Sequence, residues 1–358
     1  MTSIFVFISG ATLLVVSAEK LIAHLVGAAS GLRIPLFLLA VVFTGVEFDD
    51  ITLGVGLNLE DLHGVALGVV FGTALSYTGV VLALAAILVP GKVDIPRDYV
   101  VVFAVVPLVM VGFTLSGPLT GADGLVLLGL FVLFIAYVAA RELRRNVAVF
   151  RDVEVYEAAA VGGPGGGGAQ PGRGAEAYVQ PDESDRGGTR ADDEPFTEAR
   201  ELPGWAHLGL AVLALAGLII GAATTSTGTQ GILDTYRLEG TVFGATIVTA
   251  VLTIEDVFLT LESFRKGVPE VGVGNVIGSL VFSVTGKLGT ILLAGDIVVG
   301  QDVLTWHLPA LIALTALGAY FLSTGRLKRW HGGILLALYA VYWVISLVAF
   351  GGAPVSVD

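Results

Sequence analysis

The stretch TGVEFDDIT at residues 44–52 places three carboxylates inside an otherwise largely apolar segment, residues 34–57, and this feature decides the fold. An acid at the centre of a membrane span costs about 2.5–3.5 kcal/mol on insertion scales. Such a residue is expected to face a polar cavity, to pair with another group or to be protonated. We therefore predict that Glu47, Asp49 and Asp50 lie deep within a membrane protein and mark a functional site.

A second acidic stretch, TAVLTIED at 249–256, repeats the first one at a fixed distance. A shift of 206 positions, the separation of Asp50 from Asp256, superposes the two acidic stretches. Without any gap, the same shift superposes the glycine motif LGVVFGTALSY at 67–77 on VGNVIGSLVFS at 273–283. We interpret this agreement as the result of an ancestral duplication.

Composition indicates an integral membrane protein. The 358 residues are 55% hydrophobic with a mean hydropathy of +0.86, and only 14% of them are charged. Because a span needs roughly 20 mostly apolar residues, we predict an all-α membrane protein with ten transmembrane helices in two inverted five-helix repeats. The predicted helices are 3–27, 34–57, 63–89, 99–116, 122–142, 205–225, 239–264, 270–297, 304–324 and 331–350.

A polar segment divides the chain into the two repeats. We predict a first transmembrane repeat over 1–146, an acidic cytoplasmic linker over 147–204, and a second transmembrane repeat over 205–358. The linker is rich in glycine, proline and acids, so we expect 155–203 to be disordered. Since an odd number of helices precedes the linker, the second repeat must enter the membrane with the opposite orientation.

The charges of the loops predict the orientation, because cytoplasmic loops collect Lys and Arg. Alternate loops carry nearly all of these residues, and the opposite loops carry Arg237 as their exception. We therefore expect a multi-pass protein of the cell membrane with both termini outside. The residues of the basic loops are Arg33, Lys92, Arg97, Arg141, Arg144, Arg145, Arg265, Lys266, Arg326, Lys328 and Arg329.

Other features of the composition exclude several classes of site and partner. The chain has no cysteine, which removes disulfides and thiolate metal sites. No extended basic patch is present, so we expect no nucleic-acid partner. The formal net charge is −12, and this acidic excess, with the glycine richness and the missing cysteine, suits a high-salt host, so we expect a prokaryotic, haloarchaeal origin. We predict neither an enzyme nor a bound cofactor.

The four central segments together supply an oxygen-rich environment. Glu47 and Asp50 are three residues apart and share a helix face, as do Thr253 and Asp256. Hydroxyl residues recur four apart in each glycine motif, so they also share faces. Hard cations such as Ca²⁺ take 6–8 oxygen ligands, and no histidine in the cores of these segments indicates a softer metal.

Alternative interpretations remain open for several of these residues. The acids could stand at helix ends on the membrane surface, or Asp49 and Glu255 could be protonated and bonded to neighbouring helices. The paired glycines are also what close helix packing requires. Lys287 shares the face of Ser283, and it either pairs with a carboxylate of the site or snorkels to the interface.

At this point the pattern resembles the sodium/calcium exchanger family of the cation/Ca²⁺ exchanger superfamily. Each repeat of that family carries a segment similar to Gly-Thr-Ser-Leu-Pro-Glu, followed by a Gly-Asn-x-x-Gly-Ser-Asn-type segment. Here 45–50 and 251–256 occupy the first, and 68–73 and 274–279 occupy the second. The sequence departs from the family pattern at several positions. In the first segment, Asp49 and Glu255 replace the family's proline, and Asp50 and Asp256 replace its glutamates. Glu47 stands at a serine, and Tyr77 and Ser283 stand at a position often held by Asn or Asp.

The resemblance implies a fold and a site. Helices 2, 3, 7 and 8 would surround ion sites at the midplane, while helices 1 and 6 would slide to alternate access. Asp49, Glu255 and Lys287 are secondary candidates. The residues at the family's ion-ligand positions are Glu47, Asp50, Thr73, Tyr77, Thr253, Asp256, Ser279 and Ser283.

The function expected from the residues and the resemblance is secondary cation antiport. The leading hypothesis is exchange of Ca²⁺, or a related divalent ion, against Na⁺ across the lipid bilayer. A cation/proton antiporter is the alternative, because clustered carboxylates repel each other and some should bind protons. A non-transporting membrane cation sensor is a third hypothesis from a different class.

Overall fold

The computed structural model describes residues 2–31, 47–145, 204–265, 267 and 269–351, and these residues are almost entirely helical. Two short strands, β1 (Gly91–Lys92) and β2 (Arg326–Leu327), pair in antiparallel fashion. The helices are α1 (Thr2–Gly31), α2 (Phe48–Leu59), α3 (His63–Leu88), α4 (Arg97–Leu115), α5 (Gly121–Arg145), α6 (Gly204–Tyr236), α7 (Gly240–Arg265), α8 (Pro269–Ala294), α9 (Val303–Ser323) and α10 (Arg329–Phe350).

Nine of these helices are long and apolar enough to cross a membrane, within the part of the chain that the structure describes. The remaining helix, α2, has 12 residues. The sequence predicts an uninterrupted helix over 34–57, but Glu47 has an extended backbone (φ −83°, ψ 95°) and the helix begins at Phe48. Residues 34–46 of that prediction lie outside the described residues, as does nearly all of the linker predicted over 147–204.

Helix α6 is much longer than the predicted 205–225. The prediction ends it at the polar run TTSTGTQ, residues 224–230, where hydropathy falls. In the structure the hydroxyl of Thr225 donates to the carbonyl of Gly221 at 2.7 Å, and Thr227 donates to Ala223 at 2.9 Å. The buried hydroxyls of Ser226 and Thr229 have no hydrogen-bond partner among the described residues. The hydroxyls of Thr224, Thr225 and Thr227 nevertheless bond within the helix, so the polar run does not end it.

The first helices of the two repeats, α1 and α6, pack against each other along their lengths. Phe7 lies against Gly228, whereas Ser17 lies against Gly217, so the two helices are antiparallel. At Gly221 a Cβ atom would lie 2.7 Å from the backbone nitrogen of Leu14, which only glycine avoids. Because α1 and α6 are equivalent in the repeat, their antiparallel packing shows that the repeats are inverted.

Helices α3 and α7 cross at a glycine-lined contact in the centre of the molecule. A Cβ at Gly68 would lie 2.2 Å from the carbonyl oxygen of Thr241, and one at Gly244 would lie 2.3 Å from that of Val65. The backbones therefore touch where the first glycine motif meets the second repeat. The packing interpretation of Gly68 is correct, and this contact brings hydroxyl and acidic residues of both repeats together.

The loops at the two ends of the helices also join one repeat to the other. Strand β1, between α3 and α4, pairs with β2, between α9 and α10. Leu119 and Ile297, in the α4–α5 and α8–α9 loops, exchange two backbone hydrogen bonds of 2.8 Å. Each contact joins loops that the charge pattern assigns to the same side of the membrane.

Equivalent stretches of the two repeats leave the α-helical geometry at the same place. Helix α3 contains a π-helical segment over Tyr77–Leu82, and α8 contains one over Ser283–Lys287. These segments begin 206 residues apart, which is the shift that superposes the acidic stretches. Single π-helical turns inside α-helices are often found at functional sites, and these two follow directly on the glycine motifs.

Candidate functional site

The buried ammonium of Lys287 is the centre of a polar network between the repeats. It forms ion pairs with Asp50 and with Glu47, the latter at 2.9 Å, and donates to the hydroxyl of Thr73 at 2.9 Å. The Lys287 side chain has no exposed surface, and Asp50 is only 3% exposed. The alternative in which Lys287 snorkels to the interface is therefore wrong for this structure, and Lys287 points at the site.

Tyr77 joins the acids of the two repeats. Its hydroxyl hydrogen-bonds to Glu47 of the first repeat and lies 3.2 Å from the Oδ2 atom of Asp256 of the second. Tyr77 is buried, so its phenol bridges two carboxylates away from water. Through Tyr77 and Lys287 together, three acids from opposite halves of the chain belong to one network.

Two pairs of hydroxyl side chains extend the network between helices α3, α7 and α8. Thr73 lies 3.3 Å from Ser283, and Ser76 lies 2.9 Å from Thr253, measured between side-chain oxygens. All four residues are buried. Ser76 also donates to the carbonyl of Thr73 at 2.8 Å, which joins the second pair to the network. The four hydroxyl oxygens are neutral oxygens of the kind that hard cations take as ligands.

The structure unites most of the predicted site residues. Seven of the eight residues at the predicted ligand positions belong to the network, and the eighth, Ser279, is buried one helical turn before Ser283. Of the secondary candidates, Asp49 is buried at the start of α2, whereas Glu255 is partly exposed on α7. The network residues are Glu47, Asp50, Thr73, Tyr77, Thr253, Asp256 and Ser283.

Ser76 belongs to the network, although it is not among the site residues predicted from the sequence. The shift that relates the repeats places Phe282 at the equivalent position, so the internal repeat gives no indication of a polar site there. The available signal is helical spacing, because Ser76 lies three residues after Thr73 and shares its face.

Other side chains lie between the acids of the network. Within the described ranges, no three Asp, Glu or His side chains are close enough to hold a metal ion between them. Lys287 lies between Asp50 and Glu47, and Tyr77 lies between Glu47 and Asp256. A buried carboxylate is costly unless it is paired and hydrogen-bonded, and these two side chains supply that compensation.

A protein-family model matches most of this chain. The family model described as sodium/calcium exchanger protein matches residues 2–140 and 206–348, on either side of the acidic segment. The chain belongs to the sodium/calcium exchanger protein family. Both halves of this family member are matched, in agreement with the internal repeat that its sequence shows.

Individual relatives agree with the assignment of this member to the family. The sodium/calcium exchanger MaX1 of Methanosarcina acetivorans is 29% identical over 135 residues, which is 37% of this chain and 39% of MaX1. This similarity therefore spans about two fifths of that relative's length. A proposed antiporter, CaxA of Alkalimonas amylolytica, is 25% identical over 351 residues, covering 95% of this chain and 97% of CaxA.

A solved structure shares the fold of this family member. A structure of the sodium-calcium exchanger NCX_Mj, soaked with Na⁺ and Ca²⁺, superposes with a TM-score of 0.55 at 18% identity. The match covers 98% of this chain and 99% of that one. The prediction of an all-α membrane protein with two repeats is confirmed, and so is the resemblance to the exchanger family.

Proposed function

We propose that this protein is a secondary active antiporter that exchanges Na⁺ for Ca²⁺ by alternating access. One observation carries the proposal: Glu47, Asp50 and Asp256 come from both inverted repeats and belong to one largely buried network with hydroxyl residues. Acidic residues inside a membrane protein are costly to bury, and they commonly mark an ion pathway. Membership of the exchanger family supports the same function.

The residues of the network have distinct roles in this proposal. Asp50 and Asp256 are the central charged ligands, and Glu47 is a third. Oxygen ligands without charge complete the shell of a hard cation such as Ca²⁺. Since one group of carboxylates cannot bind the charge of both substrates at once, Na⁺ and Ca²⁺ exclude each other, and this exclusion couples their fluxes. The neutral ligands are Thr73, Tyr77, Thr253, Ser279 and Ser283.

We also propose that the protein lies in the cell membrane with both termini outside, and that residues 147–204 form a cytoplasmic linker. The distribution of Lys and Arg among the loops supports this orientation. The loop contacts of the fold agree with it, because Gly91 meets Leu327 at one end and Leu119 meets Ile297 at the other.

Reconstituted wild-type protein is expected to drive ⁴⁵Ca²⁺ uptake into Na⁺-loaded liposomes. Uptake should require an outward Na⁺ gradient, because Na⁺ that leaves the outward-open site frees the carboxylates for external Ca²⁺, which is then released inside. At equal pH inside and outside, replacement of internal Na⁺ by choline is the control. Uptake driven by a proton gradient without Na⁺ would instead favour the cation/proton antiporter, and binding without any flux would favour the sensor.

Helices α1 and α6 form the unit that we expect to move during alternating access. They pack against each other through glycines, and small residues also line their contact with the rest of the protein. On α2, a Cβ atom at Gly56 would lie 3.8 Å from the Cβ of Ala222 on α6. Small side chains let the surfaces slide without interlocking.

The double variant Gly56→Cys/Ala222→Cys is expected to lose transport on oxidation and to regain it on reduction. Its two Cβ atoms are at the separation of about 3.8 Å that a disulfide requires, and a bond would fix α6 to α2. Because the natural chain has no cysteine, the two single-cysteine variants are matched controls. Full transport by the oxidised, crosslinked protein would show that these helices need not move apart.

A further inference from the structure

Lys287 holds the position that a cation would take at this site. Its ammonium contacts oxygens of Glu47, Asp50 and Thr73, which include two carboxylates and a hydroxyl. These are the same kinds of oxygen that a bound Na⁺ ion uses. The side chain is completely buried, so the ammonium is held by these oxygens and has no access to water.

We propose that the Lys287 ammonium is a built-in monovalent cation, which lowers by one the number of Na⁺ ions exchanged for each Ca²⁺. The inference rests on the proposed exchange and adds its stoichiometry. Lys287 is part of α8 and stays charged, so it cannot leave the site with the transported ions even when the carboxylates turn to bind Ca²⁺. It therefore moves no net charge across the membrane, yet it neutralises one carboxylate of the site.

Counting charges in the network gives the expected stoichiometry. The bonded charged groups of the network are three carboxylates, Glu47, Asp50 and Asp256, and one ammonium, Lys287, which leaves two negative charges. The secondary candidates Asp49 and Glu255 are not included in this count. One Ca²⁺ or two Na⁺ ions balance this charge. A buried site with an uncompensated charge is strongly disfavoured, so exchange of two Na⁺ for one Ca²⁺ keeps the site neutral in both loaded states.

The ammonium belongs to one repeat only. The shift that superposes Asp50 on Asp256 places Lys287 on Val81, a buried aliphatic residue. The acids Asp50 and Asp256 are therefore duplicated, whereas Glu47, which the shift places on Thr253, and Lys287 are not. Among the residues that the structure describes, Lys287 is the one cation that pairs with carboxylates of the network. A lysine in each repeat would cancel two of the three charges and leave too little charge for a divalent ion.

The response to membrane potential distinguishes exchange of two Na⁺ per Ca²⁺, expected with the Lys287 ammonium in the site, from exchange of three Na⁺ per Ca²⁺, expected without it. Exchange of two Na⁺ for one Ca²⁺ moves no net charge, whereas exchange of three moves one charge per cycle. One charge per cycle changes the equilibrium accumulation roughly fifty-fold for each 100 mV. The measurement is ⁴⁵Ca²⁺ accumulation in Na⁺-loaded liposomes whose potential is set with K⁺ and valinomycin.

We expect accumulation by the wild type to follow the square of the Na⁺ ratio and to be unaffected by potential. Lys287→Met removes the charge while keeping a long side chain, so that three Na⁺ ions are needed to balance its three carboxylates. Its accumulation should follow the cube of the ratio and respond to potential roughly fifty-fold per 100 mV. Lys92→Met, which changes an exposed lysine outside the site, is the matched control and should behave as the wild type.

The other possible results of these measurements also test the inference. A wild type that responds to potential as a one-charge exchanger overturns the inference, and so does an active Lys287→Met protein that is insensitive to potential. If Lys287→Met does not fold, the square or cube dependence of the wild type decides alone. Loss of all Na⁺-driven uptake in the wild type would instead refute the proposed exchange, which is a different result from uptake with the wrong charge.

Discussion

Asp50→Asn is expected to lower Na⁺-driven ⁴⁵Ca²⁺ uptake at least about 100-fold, the equivalent of about 2.7 kcal/mol. The substitution removes a charged ligand from the site and also takes away one of the two carboxylates that balance Lys287. Removing one partner of a buried ion pair typically costs about 3–5 kcal/mol, because the other charge is left without compensation. Uptake into liposomes, normalised to the amount of reconstituted protein, is the measurement.

Two further variants make the result for Asp50 interpretable. Asp61→Asn is the matched control, since its side chain is 97% exposed and its positive φ of 60° suits asparagine. Asp256→Asn changes the equivalent acid of the second repeat and should reduce uptake as strongly. Wild-type uptake by both Asp50→Asn and Asp256→Asn would refute the assignment of these residues as ligands.

Gly68→Ala is expected to destabilise the protein by about 3 kcal/mol or more, although it adds a single methyl group. The new Cβ would lie 2.2 Å from the carbonyl oxygen of Thr241 and 3.0 Å from the nitrogen of Ala245. Both atoms belong to the backbone of α7, so the clash can be relieved only by separating α3 from α7. The midpoint of thermal unfolding in detergent should fall by several degrees.

The same substitution elsewhere in the membrane provides the control. At Gly112 in α4 an added methyl group would have no atom within 4 Å, so Gly112→Ala has space. Alanine is also a better helix former than glycine by about 0.8–1.0 kcal/mol. Gly112→Ala should therefore unfold at the wild-type temperature or above it. Equal stability of Gly68→Ala and Gly112→Ala would show that α3 and α7 do not touch in the membrane.

The internal repeat predicted most of the site, because spacing alone assigns residues to helix faces. Thr73 and Tyr77 are four apart, as are Ser279 and Ser283, and the duplication marks both pairs at once. Long apolar helices such as α4 and α9 follow from their hydropathy, and their bounds differ from the prediction by only one or two residues.

Features that depend on tertiary contacts were not predictable in the same way. Lys287 shares the face of Ser283 in an ideal α-helix, which left two orientations open. The π-helical segment Ser283–Lys287 changes the angle between those side chains, and only the contacts with Asp50 decide where the ammonium lies. Ser76 was not predicted because its role depends on its hydrogen bond with Thr253 in another helix. The equivalent residue of the second repeat is Phe282, so the internal repeat does not mark the position as polar.

The position of Lys287 has a consequence for the history of the chain. Helices α3 and α7 touch through their backbones, so an ancestral half could have formed this core only as an antiparallel pair of identical subunits. In such a symmetric ancestor, any lysine at this position would have been present twice. The single ammonium of the present chain therefore records a change made after duplication, when the two halves could mutate separately: either a lysine was gained at 287 or one was lost at 81.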